Sequence, residues 1–307
     1  MIHDSAADLI GHTPLFHAKR FSERMETDAD IVVKLESRNP GGSAKDRVAL
    51  EMIEAAERRG ELKPGATLIE ATSGNTGVGL GVVAAVKGYR VILTMPDTMS
   101  VERIKILRAL GVEVVLTEGV RGMAGANEEA DEILRKSPGG MRMLQFDNPD
   151  NPAAHEKTTG PEIWADTKGR LNALVAGVGT GGMLCGTGRY LKSKDQSVQV
   201  VAVQPAESQV LTGGSAGAHG IQGIGANFVP GNYDSSIVDR VIAVETGESV
   251  RAARTFMRTE GVLCGVSGGA ALLAAVRYAA LTKRAGQRIV VILPDTGERY
   301  LSTELFR

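Results

Sequence analysis

Apolar and polar positions follow two alternating rhythms along this chain. Short runs of consecutive apolar, largely β-branched residues recur as IVVKLE, TLIEAT, RVILTMP, VEVVLT, LNALVAGVG, VQVVAVQP and RIVVILPD. Between them lie longer helical patterns such as VALEMIEAAERRG, VGLGVVAAVKG, VERIKILRALG, GANEEADEILRKS and GGAALLAAVRYAALTKRAG. Runs without alternation predict strands buried on both faces, and the interleaved helical period predicts crossover helices. The pattern therefore predicts an α/β protein of mostly parallel, twisted sheets flanked by helices, with ligands at the carboxyl ends of strands.

The Pro- and Asn-rich stretch FDNPDNPAA, around residues 146–154, marks a lobe boundary that divides 1–148 from 149–307. The 307 residues suffice for two lobes. A formal net charge of −1 leaves no basic excess for nucleic acid or an anionic membrane. The start, MIHDSAADLIGHTP, lacks a basic stretch followed by an apolar core, and no apolar run reaches the length of a membrane span, so a cytoplasmic protein is expected. Cys185 and Cys264 lie too far apart for a metal or redox motif and read as reduced, buried small hydrophobes. The five histidines show no ligand spacing, so no metal is expected.

Glycine, at 38 residues, clusters where apolar runs end, and these clusters carry the candidate chemistry. In NPGGSAKDR, Ser43 reads as the N-cap of a helix, which puts Lys45 in its first turn. A cation there opposes the helix dipole by about 0.3–1 kcal/mol, so Asp46 suits the place and Lys45 does not. Thr72-Ser73-Gly74-Asn75-Thr76-Gly77 joins a strand to a helix with six consecutive small or hydrogen-bonding residues, more than a cap needs, and fits an anion. Gly177-Val178-Gly179-Thr180-Gly181-Gly182 is a second such junction, and Gly265-Val266-Ser267-Gly268-Gly269 a third.

The second loop also satisfies G-x-G-x-x-G, which keeps a nicotinamide-dependent oxidoreductase open as a rival. A dinucleotide site wants an acid at the end of the next strand, where VQVVAVQP offers Gln204. Loops suited to a phosphate and a carboxylate, together with a lysine in a turn, imply pyridoxal phosphate, because an amine can form its Schiff base.

The series IGHTPL, NPGGSAKDR, ATSGNTG, LTMPDTMSVERIKILRALG, HEKTTGPEIW, GVGTGG, GIQGIGANFVP, GVSGGAA and GERYLST covers nearly the whole chain. It closely resembles the cysteine synthases (O-acetylserine sulfhydrylases), fold type II pyridoxal-phosphate enzymes similar to the tryptophan synthase β chain. The resemblance implies two α/β lobes, 1–148 with a mobile part about 39–148, and 149–307, acting as one catalytic unit. It makes Lys45 the Schiff-base lysine and Asn75 the partner of the cofactor's 3′-oxygen. Thr72, Ser73, Gly74, Thr76 and Gln145 resemble the substrate-carboxylate set. Gly179, Thr180, Gly181 and Gly182 resemble the phosphate cup, with Met183 standing where the family has threonine, so only its backbone N–H is left for the phosphate. Ser267 resembles the group facing the pyridine nitrogen, with Gly268 in place of the family's second serine.

The activity so implied is β-replacement of O-acetyl-L-serine by sulfide, through an aminoacrylate intermediate, giving L-cysteine and acetate. O-phosphoserine sulfhydrylase and cystathionine β-synthase-like activity share the same residues and stay open. The segment GSAGAHGIQGIGANFVP holds no Arg or Lys for a phosphorylated leaving group, which favours O-acetylserine. The resemblance also implies a homodimer and, as a partner, the C-terminal tail of serine acetyltransferase.

Overall fold

The structure is a computed structural model that describes residues 2–72, 74–99 and 101–307. In chain order the first elements are β1 (Leu15–His17), α1 (Lys19–Arg24), β2 (Asp30–Leu35), α2 (Lys45–Arg58), β3 (Thr67–Ala71) and α3 (Asn75–Lys87). They are followed by β4 (Arg90–Pro96), α4 (Val101–Ala109), β5 (Glu113–Thr117), α5 (Gly122–Arg135), β6 (Met141–Arg142), α6 (Asp150–Lys157) and α7 (Thr159–Asp166). The remainder comprises β7 (Ala173–Gly177), α8 (Gly182–Lys194), β8 (Gln199–Pro205), β9 (Arg240–Val244), α9 (Thr246–Glu260), α10 (Val266–Thr282) and β10 (Arg288–Leu293).

Packing divides the chain into two compact units, one holding the chain up to Ile10 with Asn39–Ala154, the other Gly11–Arg38 with His155–Arg307. In the first, β5-β4-β3-β6 form a parallel sheet. Successive residues of its strands belong to different clusters: Leu68, Val91 and Leu93 pack with Met52 and Val83 of α2 and α3, whereas Ile69 and Ile92 pack with Ala126 and Ala130 of α5. Apolar side chains on both faces are what continuous apolar runs require once side chains alternate.

In the second unit the order is β1-β2-β10-β7-β8-β9, parallel apart from the β1–β2 pair. Ile289 and Val291 of β10 pack with Phe256 of α9 and Ala271 of α10, and Val290 and Ile292 pack with Ile163 of α7 and Leu184 of α8. Each of the larger of these side chains, fully buried, contributes about 1.5–3 kcal/mol.

The expected cut at residues 148 and 149 is a division along the chain; by packing, Gly11–Arg38 joins the C-terminal half. Two features hold it there. Strand β2 pairs with β10 from Asp30↔Arg288 to Leu35↔Leu293. Lys34, fully buried, places its Nζ 2.7 Å from Glu162 Oε2 and 2.6 Å from the Thr13 carbonyl. Both cysteines are buried and free, as the small-hydrophobe reading requires. Among the described residues no helix is long and apolar enough to cross a membrane, and no His, Cys, Asp and Glu cluster could hold a metal ion.

Candidate active site

In the first unit, α2 begins at Lys45 with Ala44 as its cap residue, one place later than the sequence suggests. Ser43 still serves the helix start, because its Oγ accepts the Lys45 amide at 3.2 Å. Asp46 is fully buried and accepts the Gly41 amide, closing the glycine turn onto the helix end. Lys45 itself is partly exposed. Its backbone is set by α3: a Cβ on Gly79 would lie 2.7 Å from the Lys45 carbonyl oxygen, so the glycine lets two backbones meet there.

Helix α3 starts at Asn75 behind Gly74, whose missing side chain caps nothing. A helix start of this kind presents amide donors and the positive dipole end. Thr72 Oγ1 accepts the Gly74 amide at 3.3 Å. Thr76 donates its hydroxyl to Gln145 Oε1 at 2.5 Å, and both side chains are buried. The structure thus brings Thr72, Gly74, Thr76 and Gln145 into one polar cluster at the carboxyl end of β3; Ser73 lies outside the described residues. Its donors are hydroxyls, amides and one carboxamide, a set that binds a carboxylate without adding charge.

In the second unit, the loop after β7 is a backbone cradle. A Cβ on Gly179 would lie 2.3 Å from the Gly223 carbonyl oxygen. Gly181, with φ +84°, has the Tyr233 amide nitrogen 2.8 Å from where its Cβ would be. Thr180 is buried, and Gly182 opens α8 with no side-chain cap. Side chains at 179 and 181 would fill this cradle, and a phosphate needs it empty with amides pointing in, so the residues fit that group. The Met183 side chain packs among the apolar residues around Leu184 and Val178. Ser267, in the first turn of α10 and buried, has its Oγ 3.8 Å from where a Gly223 Cβ would be. Gly223 therefore borders both the cup and the serine. A Cβ on Gly268 would stand 3.2 Å from Leu293 Cδ2, which leaves little room for the family's serine.

Titration states follow burial. Desolvation raises the Cys185 and Cys264 thiols, and Asp295 adds to the rise at Cys264, so neither offers a thiolate. Three features escaped sequence reasoning. Gly223 and the Asn232-Tyr233 backbone wall the cup, and no local pattern marks a residue that contributes only its main chain. Glu70, by contrast, left a signal: it is an acid inside the otherwise apolar run TLIEA.

Comparison with known proteins gives the family. A family profile described as pyridoxal-phosphate dependent enzyme matches residues 6–295. Cysteine synthase A of Escherichia coli (strain K12) is 50% identical over 306 residues, spanning 97% of this chain and 93% of that protein. The crystal structure of O-acetyl serine sulfhydrylase isoform 3 from Entamoeba histolytica superposes with a TM-score of 0.96 at 46% identity, over 100% of this chain and 92% of that one. O-ureido-L-serine synthase gives 0.95 at 43% identity, over 100% and 96%. The chain belongs to the pyridoxal-phosphate dependent enzymes and, among them, to the cysteine synthase family.

Proposed function

We propose that this enzyme converts O-acetyl-L-serine and sulfide to L-cysteine and acetate by β-replacement, with pyridoxal phosphate as cofactor. The carrying observation is the Thr76–Gln145 bond, which joins the start of α3, after β3, to the loop after β6 and supports the reading of an uncharged carboxylate site there. Lys45 is the amine that would hold the cofactor's aldehyde, and Asn75 the residue that would orient its ring. Gly179, Thr180, Gly181, Gly182 and the Met183 amide would hold the phosphate, and the Ser267 hydroxyl would meet the pyridine nitrogen. When bound, pyridoxal phosphate supplies an electron sink for the pair released at the donor's α-carbon.

The residues of the chain do the rest. Thr72, Ser73, Gly74, Thr76 and Gln145 bind the donor's carboxylate and fix the direction of its α-hydrogen. The Lys45 amine would take the α-proton of the bound donor and return a proton at the end of the cycle. At the β-carbon the bond to acetate breaks and a bond to sulfur forms. Ser267, a neutral partner, would not hold the ring nitrogen protonated, which would moderate the sink and favour elimination over deeper carbanion chemistry.

Donor choice follows from charge. A phosphorylated leaving group needs a cation. His219 is already engaged within its own loop: its Nδ1 accepts the Ile221 amide at 3.3 Å and its Nε2 lies 2.8 Å from the Gly225 carbonyl. Arg103, Lys105 and Arg121 are the basic residues of the first unit that could serve a phosphorylated donor; of these, Arg121 is paired with Glu128. The kcat/KM values for O-acetyl-L-serine and O-phospho-L-serine, with sulfide in excess, test this reading, since their ratio measures relative transition-state binding. The acetyl donor should win; a higher value for the phospho donor would overturn the assignment. The same reading takes the enzyme as a cytoplasmic homodimer that binds the serine acetyltransferase tail. It is supported by the family relationship, and ultracentrifugation with and without the tail peptide checks it.

A further inference from the structure

Glu70 is the next-to-last residue of β3, two places before Thr72, and is almost wholly buried. An acid in such a position has to be accounted for by its partners. Strand β6 pairs with β3 for two residues, Leu68↔Met141 and Ile69↔Arg142. The next partner of β6 would be Glu70. There the backbone ladder ends and the side chain takes over: Glu70 Oε2 accepts the Met143 amide at 3.0 Å and the Leu144 amide at 2.9 Å.

The segment so caught is unusual. Leu144 has φ +50°, a left-handed conformation that a branched side chain seldom adopts, and it is half exposed, so no packing of its own explains the turn. One residue later Gln145 is buried and meets Thr76. The far side of the turn is held as well: Asn148 Nδ2 donates to the Met143 carbonyl at 2.9 Å, and Asn151 Nδ2 to the Gln145 carbonyl at 2.7 Å. These asparagines anchor carbonyls, whereas the Met143 and Leu144 amides both go to Glu70.

We propose that Glu70 is a positioning residue for the donor's carboxylate: by collecting the amides that precede Gln145, it sets the carboxamide at the height of Thr76, so that two loops of β3 and β6 present one anion site. The claim rests on the carboxylate role given above to Thr76 and Gln145. Glu70 does not touch the donor. Burial raises its carboxyl against the pull of Arg142 and of the Leu144, Met143 and Gln145 amides, and the amides it collects need only an oxygen at that place, which a carboxamide of the same shape also offers. Glu70→Gln keeps an oxygen at full reach. Glu70→Asp keeps the acid but withdraws it by one methylene, out of hydrogen-bond range of a turn that the asparagines still hold.

The test uses the holoenzyme and two non-reacting ligands read through the cofactor's visible band, L-serine and serinol, the same skeleton with its carboxylate reduced to an alcohol. Their affinity ratio reports the carboxylate site and is indifferent to general loss of stability. Glu70→Asp should lower the ratio by roughly ten- to hundredfold, the worth of one hydrogen bond to a charged group. It should raise KM for O-acetyl-L-serine in step while kcat and the resting spectrum stay near wild type. Glu70→Gln should hold the ratio within about threefold, because the acceptor is kept. Gln145→Ala is measured alongside. If it lowers the ratio and Glu70→Asp does not, the positioning role is wrong and the carboxylate site stands. If Gln145→Ala leaves the ratio unchanged, the site reading falls and takes the proposal with it. Should Glu70→Asp fail to fold, Glu70→Gln decides: a ratio as low as that of Gln145→Ala would overturn the proposal.

Discussion

Gly179→Ala places a methyl group 2.3 Å from the Gly223 carbonyl oxygen, where a carbon and an oxygen normally stop at about 3.2 Å, so roughly 1 Å must be found. The neighbouring chain gives little. Gly225 donates its amide to the Val178 carbonyl at 3.0 Å, and its own carbonyl is held by His219 Nε2 at 2.8 Å. A Cβ on Gly177 would already stand 2.5 Å from Ile224 Cγ2, so that side chain is seated against the same loop. The strain therefore falls on the cup itself, whose amides must keep their aim to hold a phosphate. Overpacking of this kind costs about 1–3 kcal/mol, which as lost cofactor affinity is about five- to 150-fold. Equilibrium dialysis of the apoenzyme against pyridoxal phosphate measures it. Gly247→Ala is the control, since its Cβ meets only the mobile end of Arg251 at 3.4 Å. A dissociation constant for Gly179→Ala within twofold of wild type would refute both the clash and the assignment of this loop to the phosphate.

Lys45→Ala should remove the visible band and turnover together; O-acetylserine turnover near the wild-type rate would exclude Lys45 as the reacting amine. Met183→Thr should tighten the cofactor by at most one hydrogen bond to a charged group, about 1.5–3 kcal/mol, less the apolar contacts the methionine gives up, and dialysis against pyridoxal phosphate reads the difference. Glu70 also predicts a pH trend. Its folded pKa is raised by burial, so the folded protein keeps the proton longer than the unfolded chain. That contribution is fully present below the ordinary carboxylate range and is lost as pH rises through the raised value. Thermal melts across that window should show Glu70→Gln gaining on wild type as pH rises; a constant difference would mean that the carboxyl is not perturbed.

Much of this molecule is written locally. Ile289 to Ile292 form an apolar run because every one of them is buried, on alternate faces of one sheet, and a run of that kind announces its strand wherever it lies in the chain. The helical period of α2 is equally plain, whereas α3 and α10, buried over consecutive residues, are marked as helices by their length and by turn-forming glycines at their starts. Other elements leave only weak local patterns. The three-residue β1 and two-residue β6 are too short to show a period, and β9, RVIAV, has an exposed arginine and partly exposed neighbours. Helix α9 is different: its buried positions Val250, Ala253 and Phe256 recur at helical spacing between charged residues, so its period is legible in the sequence.

Tertiary structure decided what depends on pairs distant along the chain. Periodicity states that β2 is buried but not that Ile31 lies beside Ile289, and so it cannot move Gly11–Arg38 into the C-terminal unit. The lysine loop and the glycine cup could be found as motifs because backbone conformation and helix ends demand particular residues at adjacent positions. Gly223 borders both Gly179 and Ser267, and Glu70 holds the turn before Gln145, through contacts across more than forty residues. No sequence window contains such a contact, since its energy comes from two surfaces meeting rather than from the propensity of either. The residue types that chemistry needs are chosen locally; the distances that let them act are set by the packing of sheets and helices.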